Sequence, residues 1–118
     1  MRFKSKRRHK YGAIATTVDG IRFASKKEAQ RYGFLKSLAR ADRLSALELQ
    51  PKFPCVVNGK KICTYIADFR YTDEDGSEVI EDVKGVETAV FKLKKKLVES
   101  LYPIEIQVVK SVRHLQQK

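Results

Sequence analysis

Apolar and polar positions along this chain pass twice from strand-like alternation to helical recurrence and return each time. β-prone runs in "AIATTVDGIRFAS" flank Asp19-Gly20, a two-residue turn signal, and predict a hairpin. In "SKKEAQRYGFLKSLARA", Tyr32, Leu35, Leu38 and Ala39 recur at helical spacing and predict a helix with that stripe buried. Ser25 stands at its cap, and Glu28, three residues on, completes a capping box. "ALELQPKFPCVV" reads as a strand in which Pro51 and Pro54 mark a bulge or an edge. Asn58-Gly59 turns it into "KICTYIADFRYT", and the polar loop "DEDGS" turns that into "EVIEDVKGV". These three strands predict an antiparallel meander. "ETAVFKLKKKLVESLY" follows as a helix with Val86, Val90, Leu93, Leu97 and Leu101 on one side, ended by Pro103. "IEIQVV" makes a last strand, and "KSVRHLQQK" is a polar tail with room for one helical turn. A crossover of this kind returns the last strand parallel to the third, with right-handed sense. The expected fold is α/β: a small mixed sheet with helices packed on it and a hairpin at the amino end.

At 118 residues the chain suits one compact domain, residues 13–118, preceded by a basic arm over residues 1–12. The 42% apolar content is a globular value. No apolar run is long enough to span a bilayer and none at the start resembles a secretory signal, so a cytoplasmic protein without membrane contact is expected. Cys55 and Cys63 are too few for a disulfide scaffold or a four-cysteine zinc site, and are expected to be reduced strand residues. A three-residue turn between them would place them opposite each other; a two-residue turn would offset them.

The net charge of +11 is unevenly placed. Residues 1–60 carry 15 Lys and Arg against 4 Asp and Glu, whereas residues 61–118 carry 10 of each kind. The basic excess belongs to the first half, and acids concentrate between Asp68 and Glu87. A basic body with a local acidic focus can attract a polyanion and still hold cations at one spot.

Alternation selects which charges can cooperate there. In "EVIEDVKG", Asp82 and Lys84 share one face of the strand, Glu81 and Val83 the other. In "YIADFRY", Tyr65, Ala67, Phe69 and Tyr71 face one way and Ile66, Asp68 and Arg70 the other. Adjacent antiparallel strands can then bring Asp68 close to Asp82, in a register that the residues alone do not fix. Two adjoining carboxylates resist ionising together. A hard divalent cation relieves that conflict, since Mg²⁺ takes one or two carboxylates and completes its shell with waters and phosphate oxygens. A lysine beside it can position or deprotonate an attacking water. Phosphodiester hydrolysis needs these parts.

Asp68 followed by "IEDVKG", with Asp82-Val83-Lys84, resembles the signature of the PD-(D/E)xK nuclease superfamily, with Ala67 where proline is frequent. The series "LELQPKFP", "YIADF", "EDVKG" is similar to small phage-encoded endonucleases related to Holliday-junction resolvases, and to nuclease subunits of some transposons. The likeness runs from about Thr17 to Val109. It implies a restriction-endonuclease-like core (helix, three-stranded meander, helix, strand) and a nuclease acting in phage DNA recombination, repair or processing. It further implies that Asp68, Asp82 and the Val83 carbonyl ligate Mg²⁺ or Mn²⁺ and that Lys84 handles the water. Glu28 would ligate the metal or hold Lys84, and Gln50 would lie beside the site. DNA is the implied partner, with a homodimer and a phage replication or recombination protein as further expected partners. The "QxxxY" element of exonuclease-type members is absent after Lys84, which points away from processive end-degradation.

Blander readings stand beside these. A helix cap alone explains Glu28, and one side chain cannot fold back to the cap and reach a metal at once. Lys26, Lys27, Arg31, Lys92, Lys95 and Lys96, with Arg7 and Arg8 of the arm, are candidate phosphate contacts, or else solvated faces. Tyr32, Phe34, Phe53, Phe69 and Phe91 suit the core better than base stacking, and neither His9 nor His114 receives a catalytic role. The rival to the nuclease is a noncatalytic nucleic-acid-binding protein, in which lysines bind and the acids merely solvate a hairpin.

Overall fold

A computed structural model describes residues 15–115; the basic arm, with Arg7 and Arg8, lies outside the described residues. Strands β1 (Thr16–Val18) and β2 (Ile21–Phe23) pair antiparallel around Asp19-Gly20. Both turn residues have positive φ (54° and 75°), the primed geometry whose twist matches that of paired strands. Helix α1 (Lys26–Arg40) starts where Ser25 Oγ accepts the Glu28 N–H at 3.1 Å, satisfying an amide that the first turn leaves unpaired. Its inward face carries Ala29, Tyr32 and Leu35, with Leu38 and Ala39 partly buried beside them.

The meander is present in order but broken. The first expected strand divides into β3 (Leu44–Leu49) and β4 (Lys52–Val57) around Gln50-Pro51. The second divides into β5 (Lys60–Ile66) and β6 (Phe69–Asp73) around Ala67-Asp68. β4 and β5 form their own two-stranded hairpin, while β3 joins a four-stranded sheet of order β3-β6-β7-β8, with β7 at Glu78–Val83 and β8 at Ile106–Val109. Helix α2 (Ala89–Leu101) connects β7 to β8, and those two strands are parallel, as the crossover requires.

The breaks correct the expected facing of "YIADFRY". Tyr65, Ala67, Phe69 and Tyr71 are all buried, but the turn at Ala67-Asp68 sends the first two and the last two into different cores. Phe69 and Tyr71 pack with Phe23, Tyr32, Leu35, Val79 and Val83 beneath α1. Tyr65 and Ala67 pack with Phe53, Ile80, Phe91, Val98 and Ile106 beneath α2. Strand β7 serves both, with Val79 and Val83 toward α1 and Ile80 toward α2, as a period of two dictates.

The buried face of α2 also differs from expectation. Phe91 and Val98 are inside, whereas Val86, Val90, Leu93 and Leu101 are 40–68% exposed and Leu97 is half-buried. Two apolar stripes compete on this helix. The stripe with aromatic side chains meets the hairpin, Phe53 lying 5.3 Å from Tyr102 and Tyr65 6.5 Å from Phe91, because an aromatic ring removes more surface from water than Val or Leu.

Cys55 and Cys63 are free thiols and stand directly opposite each other despite the two-residue Asn58-Gly59 turn. A bulge between Cys55 and Val56 restores the alignment. Among the described residues no helix is long and apolar enough to cross a membrane.

Candidate metal-binding active site

The breaks in the two long strands build the site. Gln50 adopts φ 53°, a left-handed conformation that a non-glycine residue takes at some cost. Its N–H donates to the Asp68 carbonyl at 3.0 Å, and Ala67 N–H donates to the Pro51 carbonyl at 3.1 Å, so the two bends lock together. Asp68 thereby leaves the regular ladder while its own N–H still donates to the Glu81 carbonyl. The register Phe69↔Glu81 sets Asp68 alongside Asp82 and Val83. Val83 N–H donates to Asp68 Oδ2 at 2.7 Å.

Asp82 is buried and held from two sides. Its Oδ2 accepts the Tyr65 hydroxyl, and its Oδ1 lies 3.2 Å from Lys84 Nζ. That ammonium stands 4.5 Å above the centre of the Phe91 ring, which steadies it by cation–π attraction. Asp82 and Glu28 both lie close enough to Asp68 to shift its carboxyl. Glu28 makes only half of a capping box: Ser25 hydroxyl donates weakly to its Oε1 at 3.4 Å, and the carboxyl also turns toward Asp68.

This crowding has an electrostatic consequence. Burial, and then the negative charges of Asp82 and Glu28, push the Asp68 carboxyl up to about 9, against the opposing Val83 N–H. Glu28 is raised too, by burial first and by Asp82, with Asp68 and Lys84 pulling the other way. The Tyr65 phenol is raised far above its usual range by burial and by Asp82, which keeps it a donor. Between the ordinary carboxylate range and about 9, folded Asp68 retains a proton that the unfolded chain has released. Stability without metal therefore falls as pH rises through that window. Asp68→Asn retains a neutral acceptor and cannot ionise. Thermal melts in EDTA should show the parent losing stability from pH 6 to pH 9 and Asp68→Asn losing much less, a difference on the order of a few °C in Tm. Parallel profiles would contradict the assigned crowding.

Among the described residues, no three His, Cys, Asp or Glu side chains form a complete metal-holding group. The donor set is smaller: two adjoining aspartates with Glu28 near Asp68. It suits Mg²⁺ or Mn²⁺, because these ions use one or two carboxylates and leave other positions to water and phosphate. Once Asp68 gives up its proton, three carboxyls facing one lysine carry a net negative charge, which a divalent cation would balance.

The other expected contacts divide. Lys26, Lys92 and Lys96 are exposed. Lys27 Nζ donates to the Lys110 carbonyl at 2.9 Å, and Lys95 pairs with Glu99 at 3.0 Å, so both are partly committed to the fold. Arg31 is corrected outright. It is 1% exposed, donates to Glu81 from Nε (2.8 Å) and Nη2 (2.5 Å), and from Nη1 to the carbonyls of Val112 and His114. Four of its five N–H groups are used there, and its burial keeps it from a phosphate. Sequence reasoning missed two features: Tyr65 as the partner of Asp82, and Gln50 as the backbone lock behind Asp68. A strand period shows that Tyr65 points inward but not what its hydroxyl meets.

The described residues thus form an α/β domain with a mixed sheet, whose carboxylate cluster sits where a long hairpin bends out of that sheet. Residues 8–118 match the family described as protein of unknown function (DUF1064), and the chain belongs to that family. No curated protein and no solved structure matches it.

Proposed function

We propose that this protein is a metal-dependent DNA endonuclease of the PD-(D/E)xK type, with a restriction-endonuclease-like core, acting in phage DNA recombination, repair or processing. The observation that carries the reading is the meeting of Asp68, Asp82 and Lys84 at the bend, with Glu28 reaching Asp68 from the start of α1. Asp68 and Asp82 would hold Mg²⁺ or Mn²⁺, with the Val83 carbonyl as a further oxygen. The bound ion would supply Lewis-acid polarisation of the phosphate and a more acidic water. Lys84, 30% exposed at its side chain, is open to solvent and can orient that water or take its proton. Tyr65 keeps Asp82 turned toward Lys84 by occupying the opposite oxygen. In-line attack then leaves a 5′-phosphate and a 3′-hydroxyl.

A noncatalytic binder gives no reason to bury carboxyls beside one another, because solvating a hairpin requires acids at its surface. The test is conversion of supercoiled plasmid to nicked or linear DNA. Cutting is expected with Mg²⁺ or Mn²⁺ and not with EDTA. Equal cutting in EDTA, or none with either ion on supercoiled, flap and four-way-junction DNA, would sink the proposal.

A further inference from the structure

Two concavities flank the carboxylate pair. One, of about 140 Å³, lies between the amino-terminal hairpin and the Gln50 bend and is lined by Arg22, Glu28 and Asp68. The other, of about 320 Å³, lies between β5 and the start of α2 and is lined by Asp82, Lys84, Thr88 and Lys94. Asp68 lines the first and Asp82 the second, and Asp68 Oδ2 accepts the N–H of Val83, the residue next to Asp82, at 2.7 Å, so the hollows lie on either side of one carboxylate pair.

We propose that the cleaved DNA strand crosses the site from one hollow to the other, with Arg22 and Lys94 contacting phosphates on opposite sides of the scissile bond. This rests on the nuclease reading. Charge complementarity supports the occupant. Besides Lys84, Arg22 and Lys94 are the cations lining these hollows, and among the described residues neither makes an ion pair. Neighbouring cations differ: Lys95 pairs with Glu99, Lys110 with Glu87, and Arg70 with Glu48. Lys92 and Lys96 are exposed but line neither hollow. The apolar rim fits the same occupant. Ile66 and Val90 border the larger groove at 48% and 62% exposure, where base faces can cover them while phosphates reach the cations.

The experiment uses the full chain, a fluorescently labelled duplex oligonucleotide with a single-stranded extension, and EDTA to prevent cutting. Binding is followed by anisotropy over a range of NaCl concentrations for the parent, Arg22→Ala, Lys94→Ala and Lys96→Ala. Each of the first two variants should flatten the log-log salt slope by about 0.7–0.9, one phosphate contact each, and Lys96→Ala should leave it near the parent's. Mn²⁺ binding should be unchanged in all three. Unaltered slopes for Arg22→Ala and Lys94→Ala, or an equal change in Lys96→Ala, would overturn the path. Failure of the nuclease reading shows separately, as undiminished cutting by variants of Asp82 and Lys84.

Discussion

Lys84→Ala is expected to slow plasmid cutting by about 10²–10⁴-fold, the range for loss of a positioned proton-transfer group, and Asp82→Ala by at least about tenfold through weakened metal binding. DNA binding should stay within a few-fold of the parent. Lys84 makes this test clean. Its side chain is partly exposed, its contacts are Asp82 and the Phe91 ring, and neither core depends on it. A large activity loss with an unchanged melting profile then reports on chemistry. Asp82→Ala removes a proposed metal donor and also strands the buried Tyr65 hydroxyl, so Asp82→Asn is the better companion: it keeps an acceptor for Tyr65 and loses the charge. Variants that all cut supercoiled DNA at the parental rate would show the site assignment to be wrong.

The second large effect concerns stability. Arg31→Ala should destabilise the fold by about 3–5 kcal/mol, because it leaves a buried carboxylate without its cation. Glu81 is fully buried, and after the substitution only the Tyr71 hydroxyl, now 2.5 Å from its Oε2, would remain to stabilise it. The carbonyls of Val112 and His114 would lose their donor as well, loosening the segment after β8 from α1. For a domain whose whole stability is about 5–15 kcal/mol, that is a large fraction. Adding Glu81→Gln to Arg31→Ala should recover part of the loss by removing the stranded charge. Urea denaturation midpoints measure both steps. A single variant within about 1 kcal/mol of the parent would mean that the pair is not buried as described.

Much of this architecture was legible in the chain. Asp19-Gly20, Ser25 and Asn58-Gly59 act locally, through positive φ or a cap, and the hairpins and α1 appear where those residues require them. The parallel return of β8 follows from the length of the α2 crossover. The breaks at Gln50 and Ala67-Asp68 were not legible, because they depend on hydrogen bonds between two bends far apart in sequence. The same bends decide which core receives Tyr65. Arg31 illustrates a different limit: it reads as a surface cation until β7 supplies Glu81 from fifty residues away. On α2 two apolar stripes were available, and packing against Phe53 and Tyr65 selected the one carrying Phe91. For the site, the spacing of Asp82 and Lys84 was readable from strand alternation, but the convergence of Asp68 needed the register Phe69↔Glu81.

Calorimetric titration of Mn²⁺ into the parent, Asp68→Asn and Asp82→Asn tests most directly whether these acids share one ion. The account predicts saturable binding to the parent that tightens as pH rises toward about 9, as the ion displaces the Asp68 proton, and a loss of at least about tenfold in affinity in either variant. Mn²⁺ binding of equal strength in all three proteins, or none to the parent, would contradict it.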